Sequence, residues 1–196
     1  MNEQTHLLHL ASRSPRRAEL LRLLGVDFGL VDVDVDESQQ AGEAPADYVR
    51  RVALSKACAG GVHLPPGAVV LAADTTVSLE GDIFGKPRDA ADGQAMLSRL
   101  SGRWHEVFTA VVVGVDLRHH IEVVKTRVEF RVLDAEAIRA YWRSGEPADK
   151  AGGYGIQGLG GALVKRIDGS YGAVVGLPLC ETLALLQKVG IGHALR

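Results

Sequence analysis

Cysteine is nearly missing from this chain. Cys58 and Cys180 are the only two in 196 residues. They stand far apart, with no C-x-x-C or metal-ligand spacing around them, which argues against a disulfide framework or a thiolate metal centre. They read as reduced, small core residues, which suits the cytoplasm. No apolar run approaches the ~18 residues that a membrane span needs, and the opening MNEQTHLL lacks the basic-then-apolar order of a secretory signal. Neither sign of charge is in excess. A formal net charge of -2 argues against a surface made for a nucleic-acid polymer, yet leaves room for a local basic pocket. The seven histidines show no H-E-x-x-H spacing, so no histidine zinc site is expected. Internal repeats and low-complexity tails are absent as well.

What is present is an ordinary globular composition, 46% hydrophobic and 23% charged, long enough to bury a core without staples. One domain over residues 1–196 is expected, or two lobes around a central cleft. The chain is organised around Leu7 to Gly25, LLHLASRSPRRAELLRLLG, which predicts a buried strand, a tight turn and an amphipathic helix. Ser14 suits the N-cap, Pro15 the first helical position and Gly25 the stop. Arg16 and Arg17 break the usual rule, because the helix dipole disfavours cations in a first turn by about 0.3–1 kcal/mol each. A phosphate on the free N–H groups of the helix start would offset that cost. Arg17 shares the inward phase of Leu20, Leu21 and Leu24, and Arg16 lies at its edge. The bland alternative is two arginines lying flat with their heads in water.

The run Leu30 to Glu37 alternates apolar and acidic residues, which predicts a half-buried strand with Asp32, Asp34 and Asp36 on its polar face. Glu37 and Ser38 stand where that strand runs out, and a carboxylate there suits a divalent cation. A helix is expected from Pro45 to Ala59, stopped by Gly60 and Gly61, with Val49, Val52, Ala53 and Ala57 inward. Lys56 falls in the same stripe, so its ammonium either snorkels out or meets a buried anion. Ala68 to Ala73 is a continuous apolar run, the mark of a strand covered on both faces. Asp74 should end it, at the strand end where ligands of α/β sheets gather, with the hydroxyls of Thr75 and Thr76 beside it. Val77 to Phe84 reads as a hairpin, closed by Gly85-Lys86-Pro87, and Asp89 should cap a helix with Met96, Leu97 and Leu100 inward.

Strands are expected over Trp104 to Val115 and Glu122 to Val132, the latter with Thr126, Val128, Phe130 and Val132 on one face. Asp134 should cap a short helix carrying Ile138, Tyr141 and Trp142. From Gly152 to Gly161, GGYGIQGLGG, six of ten residues are glycine, which frees the backbone to approach a ligand closely. Tyr154, Ile156, Gln157 and Leu159 punctuate the run, unlike a polar linker. Gln157 carries both a donor and an acceptor, the equipment for reading a base edge. A strand over Ala162 to Ile167 and a helix over Pro178 to Val189 close the chain.

Two arginines, two lysines, a strand-end aspartate, a loop glutamate and a glycine-rich loop with one amide suit a nucleoside phosphate with a divalent cation. The segments LASRSPRRAELL, VDVDES, ADTTV, GKP and YGIQGLGG, in this order and spacing, resemble the Maf family of nucleoside triphosphate pyrophosphatases, from about Leu8 to Leu179. The resemblance implies an elongated α/β fold, a mixed sheet flanked by helices like that of the inosine triphosphate pyrophosphatases. It further implies a homodimer and Mg- or Mn-dependent release of pyrophosphate. Carried over by position, it implies phosphate contacts at Ser12, Arg16, Arg17, Lys56 and Lys86. It implies a metal contact at Glu37, and at Asp74 the proton acceptor or a metal-linked base. The wording Y-G-I-Q-G is similar to that of the branch acting on dTTP and UTP, in which the positions of Arg16, Thr75 and Gln157 mark pyrimidine specificity. Two alternatives stand beside this: a non-enzymatic nucleotide-binding regulator of septum formation, and a pyrophosphatase for a modified purine triphosphate, which Gln157 argues against.

Overall fold

The computed structural model describes residues 7–116 and 118–195. The chain begins with β1 (Leu8–Leu10), α1 (Pro15–Leu23), β2 (Phe28–Leu30), α2 (Pro45–Gly61), β3 (Val69–Leu79), β4 (Asp82–Phe84) and α3 (Ala90–Leu100). It continues with β5 (Trp104–Val115), β6 (Arg118–Phe130), α4 (Ala135–Arg143), β7 (Val164–Asp168), α5 (Tyr171–Val175) and α6 (Leu179–Lys188). Hydrogen-bonded strand order is β2-β1-β3-β5-β6-β7, with β4 beside β3. The architecture is therefore a mixed sheet flanked by helices. Two compact units divide it: Met1–Asp74, Thr109–Val123 and Gly176–Arg196 in one, Thr75–Phe108 and Val124–Val175 in the other.

In the first unit β1 is the middle of a parallel trio, with Leu8, His9 and Leu10 opposite Phe28 to Leu30 on one side and Val69 to Leu71 on the other. Leu8, Leu10, Val69, Val70 and Leu71 are buried, as a parallel strand covered on both faces requires. α1 starts at Pro15 after Ser14, whose backbone is extended but whose hydroxyl makes no cap bond. Gly25 ends it with φ +65°, and a Cβ there would stand 2.6 Å from Ala194. α2 runs to Gly61, two residues further than expected, and buries the anticipated stripe of Val49, Val52, Ala53 and Ala57.

Two expectations for this unit are corrected. The acidic run is not a strand: β2 stops at Leu30, and the amide of Val31 makes the last ladder bond, 3.1 Å from the carbonyl of Leu10. Burial still alternates from Val31 to Asp36, so the pattern reports an extended chain with one covered face, not a partner strand. The cysteines are free but exposed. Cys58 lies one residue past Ala57, on the outer side of α2, so helical phase overrides the burial preference of the thiol.

The second unit has its own core, in which Val77, Leu79, Phe84, Leu97, Leu100, Val128, Phe130 and Tyr141 are among the buried residues. β3 and β4 form the expected hairpin, Val77 opposite Phe84 and Leu79 opposite Asp82, through Glu80 and Gly81 at φ +56° and +91°. That pair of left-handed residues is what a two-residue hairpin turn needs. Asp89 and Asp134 cap α3 and α4 with 2.8 Å bonds to the amides of Asp92 and Ala137, each worth about 1 kcal/mol. β6 ends at Phe130, so Val132, expected on the inner face, lies beyond the strand with 79% of its surface exposed. α5 was not anticipated.

Candidate active site

The first unit gathers its charged groups where the parallel ladder ends. Ala11 still bonds to the carbonyl of Leu71; past it, β1 turns into α1 while β3 continues without β1 beside it. Asp74 was expected to end its strand, but β3 runs through it to Leu79. Asp74 instead sits three residues beyond the last position of β3 that pairs with β1. Only 6% of Asp74 is exposed.

Lys56, on the inward face of α2, meets that carboxylate. Its Nζ lies 2.8 Å from Asp74 Oδ1 and 2.7 Å from Glu37 Oε1. Of its two anticipated fates, the lysine takes the buried anion. Burial pushes the Asp74 carboxyl above the ordinary aspartate value; the charges of Lys56 and Arg17 and the hydrogen bond from Lys56 pull it back, and Glu37 pushes it up. A carboxylate so placed is a stronger base than one in water.

The turn after β1 supplies the opposite sign of charge. Arg17 points inward as its helical phase requires, donating from Nε to the carbonyl of Gly176 at 2.9 Å and from Nη1 to Ser12 Oγ at 3.3 Å. Ser12 Oγ also accepts the amide of Ser14 at 3.2 Å. Burial lowers the Arg17 pKa, Asp74 and Glu37 raise it, and Arg16 lowers it. Arg16 is half-buried at the edge of the same turn. Arg13 pairs instead with exposed Asp32.

Sequence reasoning missed the residues that hold Glu37. Tyr48 Oη donates to the carbonyl of Glu37 at 2.9 Å, and Arg51 Nη2 to the carbonyl of Ser38 at 2.9 Å. Arg51 is itself fixed by Glu43, Nε to Oε1 at 2.6 Å. The signal was available in the helix period: Tyr48, Val52 and Lys56 recur every four residues on one face of α2. Burial, with Asp74 and Glu37 adding to it, pushes the Tyr48 phenol to about 12, so it stays a donor at neutral pH.

Among the described residues no cluster of three or more His, Cys, Asp or Glu could hold a metal ion. Glu37 and Asp74 give two carboxylates around one ammonium, which fits magnesium, an ion usually held by one or two carboxylates with substrate phosphates completing its shell.

Thr75, Lys86 and Gln157 belong to the second unit. Consecutive residues of a strand point to opposite faces, so Thr75 leaves β3 on the face away from Asp74; it is also the one residue of β3 that is not fully buried. Lys86 is exposed on the loop after β4, whose Gly85 carbonyl accepts the amide of Gly152 at 3.0 Å. Gln157 is exposed in a tight turn. The glycines around it have packing reasons of their own. A Cβ on Gly155 would stand 2.6 Å from Lys150 Cε, one on Gly152 2.9 Å from Val77, and one on Gly158 would overlap the Glu146 carboxylate.

The family model described as Maf-like protein matches residues 7–189. A dTTP/UTP pyrophosphatase of Hahella chejuensis is 53% identical over 188 residues, 94% of this chain and 92% of that protein. One of Methylococcus capsulatus is 52% identical over 187 residues, 95% and 93% of the two chains. Among solved structures, the Staphylococcus aureus Ham1 protein is similar over 95% of this chain and 91% of its own, at 16% identity and TM-score 0.48. With a family match that spans all but the ends and relatives of this identity, the chain belongs to the Maf family.

Proposed function

We propose that this chain hydrolyses dTTP and UTP to the monophosphate and pyrophosphate, cleaning the nucleotide pool. The observation that carries the chemistry is the buried Asp74 carboxylate, pushed upward in pKa and held by Lys56 beside Glu37 and the inward Arg17. The substrate is argued from the relatives, which carry the name dTTP/UTP pyrophosphatase at 50–53% identity.

The reaction is attack of water on the α-phosphorus. A bond forms from the water oxygen to phosphorus, the bond to the bridging oxygen of the β-phosphate breaks, and pyrophosphate leaves. Asp74 takes the water proton, and its raised basicity suits that task. Arg16, Arg17, Lys56 and Lys86 offset the charge of the triphosphate, with Ser12 Oγ beside Arg17, because positioning and charge neutralisation do most of the work in phosphoryl transfer. Glu37 and Asp74 are the residues to hold a Mg or Mn ion, which when bound supplies positive charge toward the phosphates. Gln157 is assigned to the base, with Thr75 and Arg16 as further marks of pyrimidine preference. Cytoplasmic location and a homodimer complete the proposal; among the described residues no helix is long and apolar enough to cross a membrane.

Pyrophosphate release measured on dTTP, UTP, CTP and GTP, with and without Mg, tests it. Metal-dependent release that is fastest on dTTP and UTP is expected. Binding of nucleotide without turnover would overturn it in favour of a non-enzymatic regulator.

A further inference from the structure

The ten residues richest in glycine are not slack. Glu146 follows α4, just after Gly145 turns the chain at φ +77°. Its carboxylate accepts three donors: the Tyr141 hydroxyl at 2.7 Å and the Gly160 amide at 3.0 Å on Oε1, and the Leu159 amide at 2.7 Å on Oε2. The Tyr141 oxygen in turn accepts the amide of Gly155 at 3.1 Å. Lys150 Nζ bonds to the Glu146 carbonyl at 2.7 Å and to Asp149 Oδ1 at 2.6 Å. Backbone on both sides of Ile156, Gln157 and Gly158 is thus fastened to one carboxylate and one phenol.

We propose that Glu146 is a positioning residue for base selection, its carboxylate tying down one end of the turn that presents Gln157 directly and the other through the Tyr141 hydroxyl. This rests on the base contact assigned to Gln157 above. A run with six glycines in ten has far more conformational freedom than an ordinary segment and would otherwise be ordered only when a substrate arrives. Fastened in advance, the turn holds its amide in one place, so a wrong base meets unpaired groups instead of a loop that moves to suit it. The clearance at Gly158 and Gly160, where a Cβ would overlap the Glu146 carboxylate and the Tyr141 hydroxyl, belongs to the same device. Burial favours the protonated form of Glu146, while the bonds from Tyr141, Gly160 and Leu159 and the charge of Lys150 hold its pKa below the ordinary value. Three donors on two oxygens therefore act on a charged acceptor, the stronger kind of hydrogen bond.

Glu146→Gln is the informative change, since it keeps the shape and turns one acceptor oxygen into an amide donor facing a backbone N–H. Turnover is measured on dTTP and CTP, with pyrophosphate inhibition as a readout that contains no base. For Glu146→Gln a tenfold or larger rise in KM for dTTP and a similar fall in the dTTP-to-CTP ratio of kcat/KM are expected. The pyrophosphate inhibition constant should stay within twofold. Gln157→Ala should lower the same ratio, and adding Glu146→Gln to it should lower the ratio no further. If Glu146→Gln does not fold, Tyr141→Phe, which removes one bond to Glu146 and one to Gly155, takes its place with a smaller loss in the same direction. An unchanged ratio in Glu146→Gln or its substitute, while Gln157→Ala lowers it, overturns the role of Glu146 alone. An unchanged ratio in Gln157→Ala overturns the base contact and this inference together.

Discussion

The Lys56 ammonium and the Asp74 carboxylate meet at 2.8 Å with 11% and 9% of their side chains exposed, and the lysine's second contact, Glu37, is 46% exposed. The pair is therefore a buried acid whose charged form the cation favours against the effect of burial, with a more open carboxylate at its side. Asp74→Asn keeps the shape and loses both the charge and the base. Turnover on dTTP should fall by about 10²–10⁴-fold, the usual worth of general-base catalysis, with thermal unfolding little changed. A variant that kept most of its turnover would make Asp74 a structural residue.

Lys56 also sets where Asp74 titrates. Its charge and hydrogen bond both lower the Asp74 pKa, against burial and Glu37, which raise it. Lys56→Met removes both of these lowering influences and leaves burial and Glu37 opposed by the charge of Arg17 alone, so the Asp74 pKa should rise further. Activity needs the carboxylate, hence the acid limb of kcat/KM should move to higher pH in the variant, on top of a loss at every pH from weaker phosphate binding. A full pH profile of both proteins checks this. An acid limb that stays put would separate Lys56 from the proton transfer.

His105 makes a prediction about stability instead. It is 1% exposed, its Nε2 lies 2.8 Å from Tyr154 Oη, and its Nδ1 finds no hydrogen-bond partner among the described residues. Burial lowers its pKa from 6.5 to about 4. The folded state then binds the His105 proton less readily than the unfolded chain does. Stability from this residue is intact above the unfolded value near 6.5 and declines as pH falls from there toward 4. At about 1.4 kcal/mol per unit, the loss reaches ~3 kcal/mol at the low end. His105→Phe should be less stable at pH 7.5, because Tyr154 loses its partner, but should lose less between pH 7.5 and 4.5 than the parent in urea unfolding. Equal losses in the two proteins would show that His105 takes up its proton as readily in the folded state as in the unfolded chain.

Much of this was legible in the sequence, and the exceptions have physical causes. Helical phase gave Arg17 and Lys56 their inward directions, since a side chain's face on a helix depends only on local spacing. The strand over Trp104–Val115 and both aspartate caps were local in the same sense. The alternation from Leu30 to Glu37 misled because it records which face is covered, whereas a ladder needs a partner, which among the described residues the segment keeps only as far as the amide of Val31. Glu146 gave no signal at all. Its amide partners lie 13 and 14 residues onward, a separation that only the folded turn closes. The glycines were read as freedom toward a ligand, while the structure uses several of them as clearance for Lys150, Glu146 and Tyr141.

Gln157 carries the last prediction. Uracil and thymine present an acceptor, a donor and an acceptor along their pairing edge, and a primary amide satisfies two adjacent groups at once. Cytosine and the purines present other orders, and a mismatched buried polar pair costs roughly 1–3 kcal/mol, enough for a tenfold preference or more. Gln157 is exposed in its turn, so replacing it leaves the core of the second unit untouched. Gln157→Glu should therefore unfold within about 0.5 kcal/mol of the parent, as surface changes usually do, while losing dTTP and UTP activity tenfold or more, because a carboxylate would face the carbonyl oxygens of the base. Turnover on dTTP, UTP, CTP and GTP for both proteins decides it. The same substrate ranking in the variant would show that Gln157 does not read the base.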